Sequence, residues 1–191
     1  MPTLYILAGP NGAGKTTAAQ TLVPEVFHCD IFLNADEIAA NLNRGNVEAV
    51  AMQAARIMLQ QIELHILLSH TFCIETTLAT KSYLNLIKRV QLINYEVILL
   101  FFYLPSAEMA KERVALRVSE GGHNIPIEII ERRYGLGLLN LKRFIAVVDR
   151  WYVFNNSKSP AEKIAEGEFN KQIKIINFEI WERLKMIWNF L

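Results

Sequence analysis

The sequence predicts an α/β fold, a three-layer sandwich in which a mostly parallel central sheet lies between helices. Short apolar segments alternate with longer amphipathic segments, which is typical of parallel strands joined by helices. The length of 191 residues lies within the usual range of one domain. No internal repeat and no low-complexity tract interrupts the pattern. We therefore expect residues 1–191 to form a single domain.

Five short apolar segments, bounded by turn residues or charges, predict the strands. They lie at residues 3–8, 31–34, 72–74, 96–104 and 151–154. The most apolar stretch, residues 97–104, has the length of a buried strand and is too short to span a membrane. The apolar residues before Gly9 follow no basic segment, so we expect no signal peptide and a cytoplasmic protein.

Apolar residues that recur at helical spacing predict the helices between these strands. Helices are expected at residues 15–22, 47–68, 82–93, 106–119 and 126–148. The first should end before Pro24, and the last should begin near Pro126. Residues 158–191 should form a C-terminal extension, a hairpin or strand followed by a helix. The apolar face of that helix, which either packs on its own sheet or meets a partner, comprises Ile180, Trp181, Leu184, Ile187 and Trp188.

Composition argues against several functional classes, although a local basic patch remains compatible with it. Twenty basic and nineteen acidic residues give a formal net charge of +1, so no global basic field attracts nucleic acid and such a partner is not expected. The two cysteines, Cys29 and Cys73, are too few for a disulfide framework and too far apart for a zinc knuckle. We expect both to be small buried side chains.

A glycine-rich segment between the first predicted strand and helix carries the strongest chemical signal. Residues 9–16 fit the P-loop pattern G-x-x-x-x-G-K-[ST] at every fixed position. Such a loop aims backbone N–H groups at phosphates, its lysine reaches the β- and γ-phosphates, and the hydroxyl of Thr16 can ligate Mg²⁺. We therefore predict a P-loop NTPase sandwich that binds ATP and Mg²⁺. The residues expected to bind the nucleotide are Gly9, Pro10, Asn11, Gly12, Ala13, Gly14, Lys15, Thr16 and Thr17, with Arg117 and Asn156.

Polar residues follow the second and third predicted strands. The carboxyl ends of strands in such a sheet face the ligand crevice. Asp36 there would accept a proton from an acceptor hydroxyl, or would act as a helix N-cap. Glu75 would hold Mg²⁺ through water or bind a substrate hydroxyl, and Thr77 offers a hydroxyl donor; a strand end with a helix cap is the alternative for both.

Four arginines bracket the glycine pair Gly121-Gly122. Two helices joined by a glycine hinge suggest a lid, at about residues 113–133, that closes over ATP and neutralises transition-state charge. For any single arginine, a solvated helix face is the alternative, and we assign no acid or base role to His123. The arginines are Arg113, Arg117, Arg132 and Arg133.

Five segments together resemble chromosomal members of the zeta-toxin family of P-loop kinases. They are GPNGAGKTT, NADEIA, FCIETTLAT, ERVALRVSEGGHNIPIEIIERRY and DRWYVFNNS, in that order, and the resemblance covers about residues 3–157. The family uses ATP to phosphorylate the 3′-hydroxyl of the amino sugar in UDP-N-acetylglucosamine, which blocks cell-wall synthesis. Membership would imply a small-molecule kinase fold, a sugar or nucleotide-sugar acceptor, and a possible antitoxin partner.

The resemblance also implies roles for single residues. Lys15 matches the P-loop lysine and Thr16 the magnesium ligand, while Asp36 matches the base for the sugar hydroxyl. Glu75 and Thr77 match residues that hold the sugar nucleotide. Arg132 or Arg133 falls near a phosphate-binding lid arginine, and residues 155–157 fall near the adenine pocket.

Two positions depart from the well-studied plasmid toxins. Ala79 stands where those toxins have an arginine, and Leu59 or a neighbour stands where they have a glutamate. Both replaced residues contact the sugar nucleotide in those toxins, so the sequence supports the kinase hypothesis more firmly than it supports this acceptor. The alternatives are a kinase of another acceptor (another sugar, an antibiotic or a polynucleotide end) and a nucleotide-dependent interaction protein without transfer activity.

Overall fold

A seven-stranded sheet, with strands in the order β2-β3-β1-β4-β5-β6-β7, forms the centre of the computed structural model, which describes residues 1–122 and 124–189. His123, Phe190 and Leu191 lie outside the described residues. The first five strands pair in parallel, and β6 and β7 add to the β5 edge in antiparallel orientation. The strands are β1 (Thr3–Ala8), β2 (Phe32–Leu33), β3 (Phe72–Thr76), β4 (Glu96–Tyr103), β5 (Arg150–Asn155), β6 (Glu162–Glu168) and β7 (Lys174–Ile175). The predicted α/β fold with a mostly parallel sheet is confirmed.

The helices occupy most of the predicted ranges. They are α1 (Lys15–Thr21), α2 (Ala35–Leu42), α3 (Val47–Leu67), α4 (Ser82–Gln91), α5 (Ala107–Ser119), α6 (Ile127–Ile145) and α7 (Phe178–Asn189). The first α-helix ends before Pro24, as predicted, but the chain does not leave helical geometry there, because a π-helical turn over Leu22–Val26 follows α1 directly. The Phe27 amide donates to the Leu22 carbonyl at 2.8 Å, and this wider turn includes the proline.

The central strand β4 separates two apolar layers. Its successive residues, such as Leu99 and Leu100, are buried on opposite faces of the sheet, as the period of two along a strand requires. One layer packs against α3, α4, α6 and α7, and the other against α1 and α5. Helix α6 contributes Ile130 to the α5 side and Phe144 to the other side. It therefore passes from one layer to the other.

The C-terminal residues complete this core. The rings of Trp181, on α7, and Trp151, on β5, stack with centroids 5.5 Å apart and planes 4° apart. Leu184 is fully buried, and the indole N–H of Trp188 donates to the Leu138 carbonyl at 2.9 Å. The apolar face of α7 thus packs on its own sheet, which was the first of the two interpretations. Cys29 and Cys73 are both buried and unbridged, as expected. Among the described residues, no helix is long and apolar enough to cross a membrane.

Candidate active site

The P-loop follows β1 and opens helix α1, as the motif predicts. Gly12 and Gly14 each have a φ of +74°, in the left-handed region that side chains rarely adopt. A Cβ on Gly9 would lie 2.3 Å from the Phe102 carbonyl oxygen, and one on Gly14 would lie 2.7 Å from the side-chain amide of Asn156. The glycines therefore permit a backbone curvature and a close approach that no other residue allows, and the loop fits a phosphate chain.

Lys15 lies at the centre of this loop with only 4% of its surface exposed. Its ammonium donates to the Pro10 carbonyl at 2.9 Å and lies 3.4 Å from Oε1 of Glu75. Burial lowers the pKa of Lys15, while the negative charges of Glu75 and Asp36 oppose that shift. A buried ammonium gains most from an anionic partner, so the position suits a lysine that contacts phosphate.

Glu75 connects the P-loop to the end of β2. Its Oε2 accepts hydrogen bonds from the Thr16 hydroxyl at 2.7 Å and from the side-chain amide of Asn34 at 3.0 Å. Strand β3 places Glu75 beside Leu7 of β1, so the carboxylate faces the loop that follows β1. A hydroxyl and a carboxylate this close provide the hard oxygen donors that Mg²⁺ prefers, and Thr16 and Glu75 would hold the ion directly or through water.

Asp36 occupies the first turn of α2, and the N-cap alternative for it is wrong. Asn34 caps the helix instead, because its Oδ1 accepts the Asp36 N–H at 2.8 Å. The side chain of Asp36 is exposed and lines the cleft beside the P-loop. Its carboxylate is thus available to a ligand in the cleft.

A cleft of about 550 Å³ brings the predicted acceptor residues together. Asp36, Glu75 and Thr77 line one part, and Arg132 and Arg133, near the start of α6, line another. The amide oxygen of Asn11, also in the lining, is buried with no hydrogen-bond partner among the described residues. The apolar part of the lining includes Met58, Leu59, Ala79 and Leu136. The cleft can thus hold a polar molecule with one less polar face.

The loop after β5 closes the other side of the P-loop. The side-chain amide of Asn156, which was predicted to contact the nucleotide, donates to the Ala13 carbonyl at 2.7 Å. The Arg113 guanidinium donates to the carbonyls of Asn156 and Ser157 at 2.8 and 2.9 Å. Arg113 therefore supports this loop rather than facing the acceptor cleft. Arg117 lies one turn further along α5, and Thr17 is an exposed residue of α1.

The lid remains a prediction. Residues 113–133 contain the end of α5, the connection and the start of α6, and Gly121 in that connection has a φ of +88°. Lys111 and Glu131 join the two helices through an ion pair of 2.8 Å. This arrangement makes α5 and α6 one packed pair beside the cleft.

Two residues of the site were not singled out from the sequence. Asn34, which is buried, directly precedes α2, where a capping residue is expected, and its position was the available signal. Glu37 lines a second, smaller cavity of about 290 Å³ together with Thr16, Cys29 and Phe32. Partial burial raises the pKa of Glu37, and the charges of Glu75 and Asp36 raise it further.

Known proteins resemble this chain in sequence and in structure. A protein of Haemophilus influenzae, described as "Uncharacterized protein", is 28% identical over 126 residues, which cover 66% of this chain and 88% of that relative. A chain in the crystal structure of AvrRxo1-ORF1:AvrRxo1-ORF2 with sulphate ions superposes with a TM-score of 0.75 at 17% identity. The match covers 96% of this chain and 63% of that one, so this chain spans less than two thirds of that relative.

Two further structures share the fold. A chain of the PezAT chromosomal toxin–antitoxin system of Streptococcus pneumoniae superposes with a TM-score of 0.66 at 17% identity, covering 100% of this chain and 87% of that one. A gluconokinase from Sinorhizobium meliloti superposes with a TM-score of 0.54 at 12% identity over 82% and 83% of the two chains. These likenesses show a P-loop kinase fold. The family model for the zeta toxin matches residues 1–177, and the protein therefore belongs to the zeta-toxin family.

Proposed function

We propose that the protein is a kinase that transfers the γ-phosphoryl group of ATP to a hydroxyl of a small molecule, a sugar or a nucleotide sugar. The observation that carries the proposal is the exposed carboxylate of Asp36 in the cleft that adjoins the buried P-loop lysine. A simple nucleotide hydrolase needs no acceptor cleft of about 550 Å³. UDP-N-acetylglucosamine is the first acceptor to test, because the chain belongs to the zeta-toxin family.

In the proposed reaction, Asp36 accepts the proton of the acceptor hydroxyl as its oxygen forms a bond to the γ-phosphorus. The bond from that phosphorus to the bridging oxygen breaks, and ADP leaves with the electron pair. Lys15 stabilises the charge on the transferred group, and so do Arg132 and Arg133 once they contact it. Thr16 and Glu75 would hold Mg²⁺, directly or through water, and the ion would supply further charge neutralisation when bound.

The acceptor lining differs from that of the plasmid toxins at two positions, so the acceptor panel extends beyond UDP-N-acetylglucosamine. Ala79 and Leu59 both line the cleft. The first stands at one of the two positions noted in the sequence as departures, and the second or a neighbour stands at the other. A pocket that lacks two polar contacts binds its former ligand less tightly, and specificity depends on such contacts. We therefore propose UDP-N-acetylglucosamine as one member of an acceptor panel that also contains free sugars, other nucleotide sugars and hydroxylated antibiotics.

The test is phosphoryl transfer from γ-labelled ATP with Mg²⁺ to each acceptor. Asp36→Asn should lower kcat by about 10²- to 10⁴-fold, the usual contribution of a general base, and leave the Kd for ATP nearly unchanged. Lys15→Ala should lose both transfer and nucleotide binding. Glu48→Gln is the matched control, since Glu48 occupies the first turn of α3 and does not line the cleft. Unchanged transfer by Asp36→Asn would remove Asp36 from the mechanism.

A second proposal concerns a partner. The structural likeness to a chain of a toxin–antitoxin system supports an antitoxin that binds this protein. Light scattering after size exclusion, with the protein expressed beside its neighbouring genes, tests this proposal. The interaction function would be favoured over the kinase by a protein that binds ATP, transfers phosphate to no acceptor, and forms a stable complex with the product of a neighbouring gene.

A further inference from the structure

A strained turn follows the strand that carries Glu75. Leu78 has a φ of +54° and is fully buried. A branched side chain rarely adopts this left-handed conformation, so other contacts must hold it. Strain of this kind is concentrated at functional sites, and this turn directly follows Glu75, Thr76 and Thr77, all of which line the acceptor cleft.

Two hydrogen bonds hold the turn. The Leu78 amide donates to the Thr76 hydroxyl oxygen at 3.1 Å. The side-chain amide of Asn140, on α6, donates to the Leu78 carbonyl at 2.7 Å. Asn140 is only 3% exposed, and its Oδ1 accepts from the Arg143 guanidinium at 3.0 Å. A buried side-chain amide whose nitrogen and oxygen both form hydrogen bonds has a fixed orientation. Asn140 therefore fixes the position of the Leu78 carbonyl.

The backbone of α6 also packs against this turn. Gly137 lies almost one helical turn before Asn140, on the same face of α6. A Cβ at Gly137 would lie 2.4 Å from the Thr77 carbonyl oxygen, a contact that requires the backbone to move. Gly137 therefore permits the approach, and Asn140 holds the turn once α6 is in place.

The same helix carries the two cationic residues of the cleft. Arg132 and Arg133 line it from near the start of α6, whereas neither Gly137 nor Asn140 is among its described lining residues. We propose that Asn140 is a positioning residue of the acceptor site, which fixes Glu75 and Thr77 relative to the α6 arginines through the Leu78 turn. The catalytic consequence of this inference rests on the proposed kinase function. The hydrogen bond from Asn140 to the Leu78 carbonyl is independent of that function.

The test compares Asn140→Asp and Gly137→Ala with Gly135→Ala as the matched control. Asn140→Asp preserves side-chain shape but removes the N–H donor, and Gly137→Ala displaces the Thr77 carbonyl. A Cβ at Gly135 meets nothing within 4 Å, so the control changes the same helix without touching the turn. For each variant we would measure acceptor kcat and KM, ATP KM, thermal unfolding, and hydrogen exchange of residues 75–80.

Both test variants should lower acceptor kcat/KM by about tenfold to a hundredfold, the cost of a misplacement near 1 Å. ATP KM should change less than acceptor KM, although Glu75 also contacts Lys15 and Thr16 of the P-loop. Hydrogen exchange over residues 75–80 should rise in both and stay unchanged in Gly135→Ala. Folded variants with wild-type acceptor kinetics would overturn the positioning role. If the wild-type protein transfers phosphate to no acceptor, the kinase proposal fails. The exchange data then test the structural role of Asn140 independently of catalysis. Unchanged exchange over residues 75–80 would show that Asn140 does not hold the Leu78 turn, and raised exchange would support that role.

Discussion

Glu37 is a residue whose charge is unfavourable in the folded protein. Partial desolvation beside the small cavity and the charges of Glu75 and Asp36 raise its pKa above the ordinary value of 4.5. A raised native pKa means that the folded state binds the proton more tightly than the unfolded state, so the free energy of unfolding falls as pH rises through the native pKa. Glu37→Gln should therefore raise Tm at mildly alkaline pH. The gain in Tm should disappear when the pH falls below the ordinary glutamate pKa of 4.5, because Glu37 is then protonated in both states.

Thermal unfolding of wild type and Glu37→Gln across this pH range measures the effect. Glu48→Gln removes a carboxylate from the first turn of α3, outside both cavities, and should give no such gain. A Tm difference for Glu37→Gln that grows as pH falls would contradict the assignment, since it would mean that the ionised carboxylate stabilises the fold.

The part of the site that the sequence predicted is the part encoded locally. Lys15 and Thr16 follow from a motif whose residues are adjacent, and their positions relative to the loop need no tertiary information. Asp36 and Glu75 could be placed at one sheet edge, because the carboxyl ends of parallel strands meet there. The contact of Asn140 with Leu78 joins residues 62 positions apart, so no local sequence pattern predicts it.

At the scale of elements, the stack of Trp181 on Trp151 should be a major contribution of helix α7 to the stability of the fold. Trp181 is 3% exposed and stacks on Trp151. Trp181→Ala removes this contact and leaves a cavity, so it should lower the free energy of unfolding by about 3–5 kcal/mol. Met186→Ala changes an exposed residue of the same helix and should have little effect. Urea denaturation followed by circular dichroism measures both.

The outcome of Trp181→Ala also tests what α7 does. If the variant remains as stable as wild type, the stack contributes little and the apolar face is better explained as a surface for a partner. Light scattering on the variant would then be the next measurement. If stability falls without a change in mass, α7 is an integral layer of the fold.

The periodicity of apolar residues predicted most of the elements, and the departures have identifiable physical causes. Pro24 is a helix breaker in an α-helix, but the wider π-helical turn accommodates it after α1. Helix α6 packs in both apolar layers through different residues along its length, and a period of 3.6 residues cannot show such a change of partner.

At the scale of the whole molecule, the order of strands is the feature least accessible from sequence. The alternation of strands and helices predicts a parallel sheet, but it does not specify that β1 lies between β3 and β4. That order brings the P-loop after β1 next to Glu75 at the end of β3. The antiparallel β6 and β7 extend the same sheet, so the C-terminal extension is continuous with the core.

Nucleotide binding should stabilise the whole molecule, because ligand that binds only the folded state shifts the unfolding equilibrium by mass action. At 100 times Kd the gain is about 2.7 kcal/mol. At roughly 2–4 °C per kcal/mol for a chain of this size, Mg-ATP should raise Tm by roughly 5–10 °C. Lys15→Ala should remove the shift, since the buried ammonium supplies the charge that the phosphates need. Chelation of Mg²⁺ should reduce the shift in wild type, because Thr16 and Glu75 would hold the ion in the proposed site. An equal shift in Lys15→Ala would place the nucleotide outside the P-loop and would remove the basis of the kinase proposal.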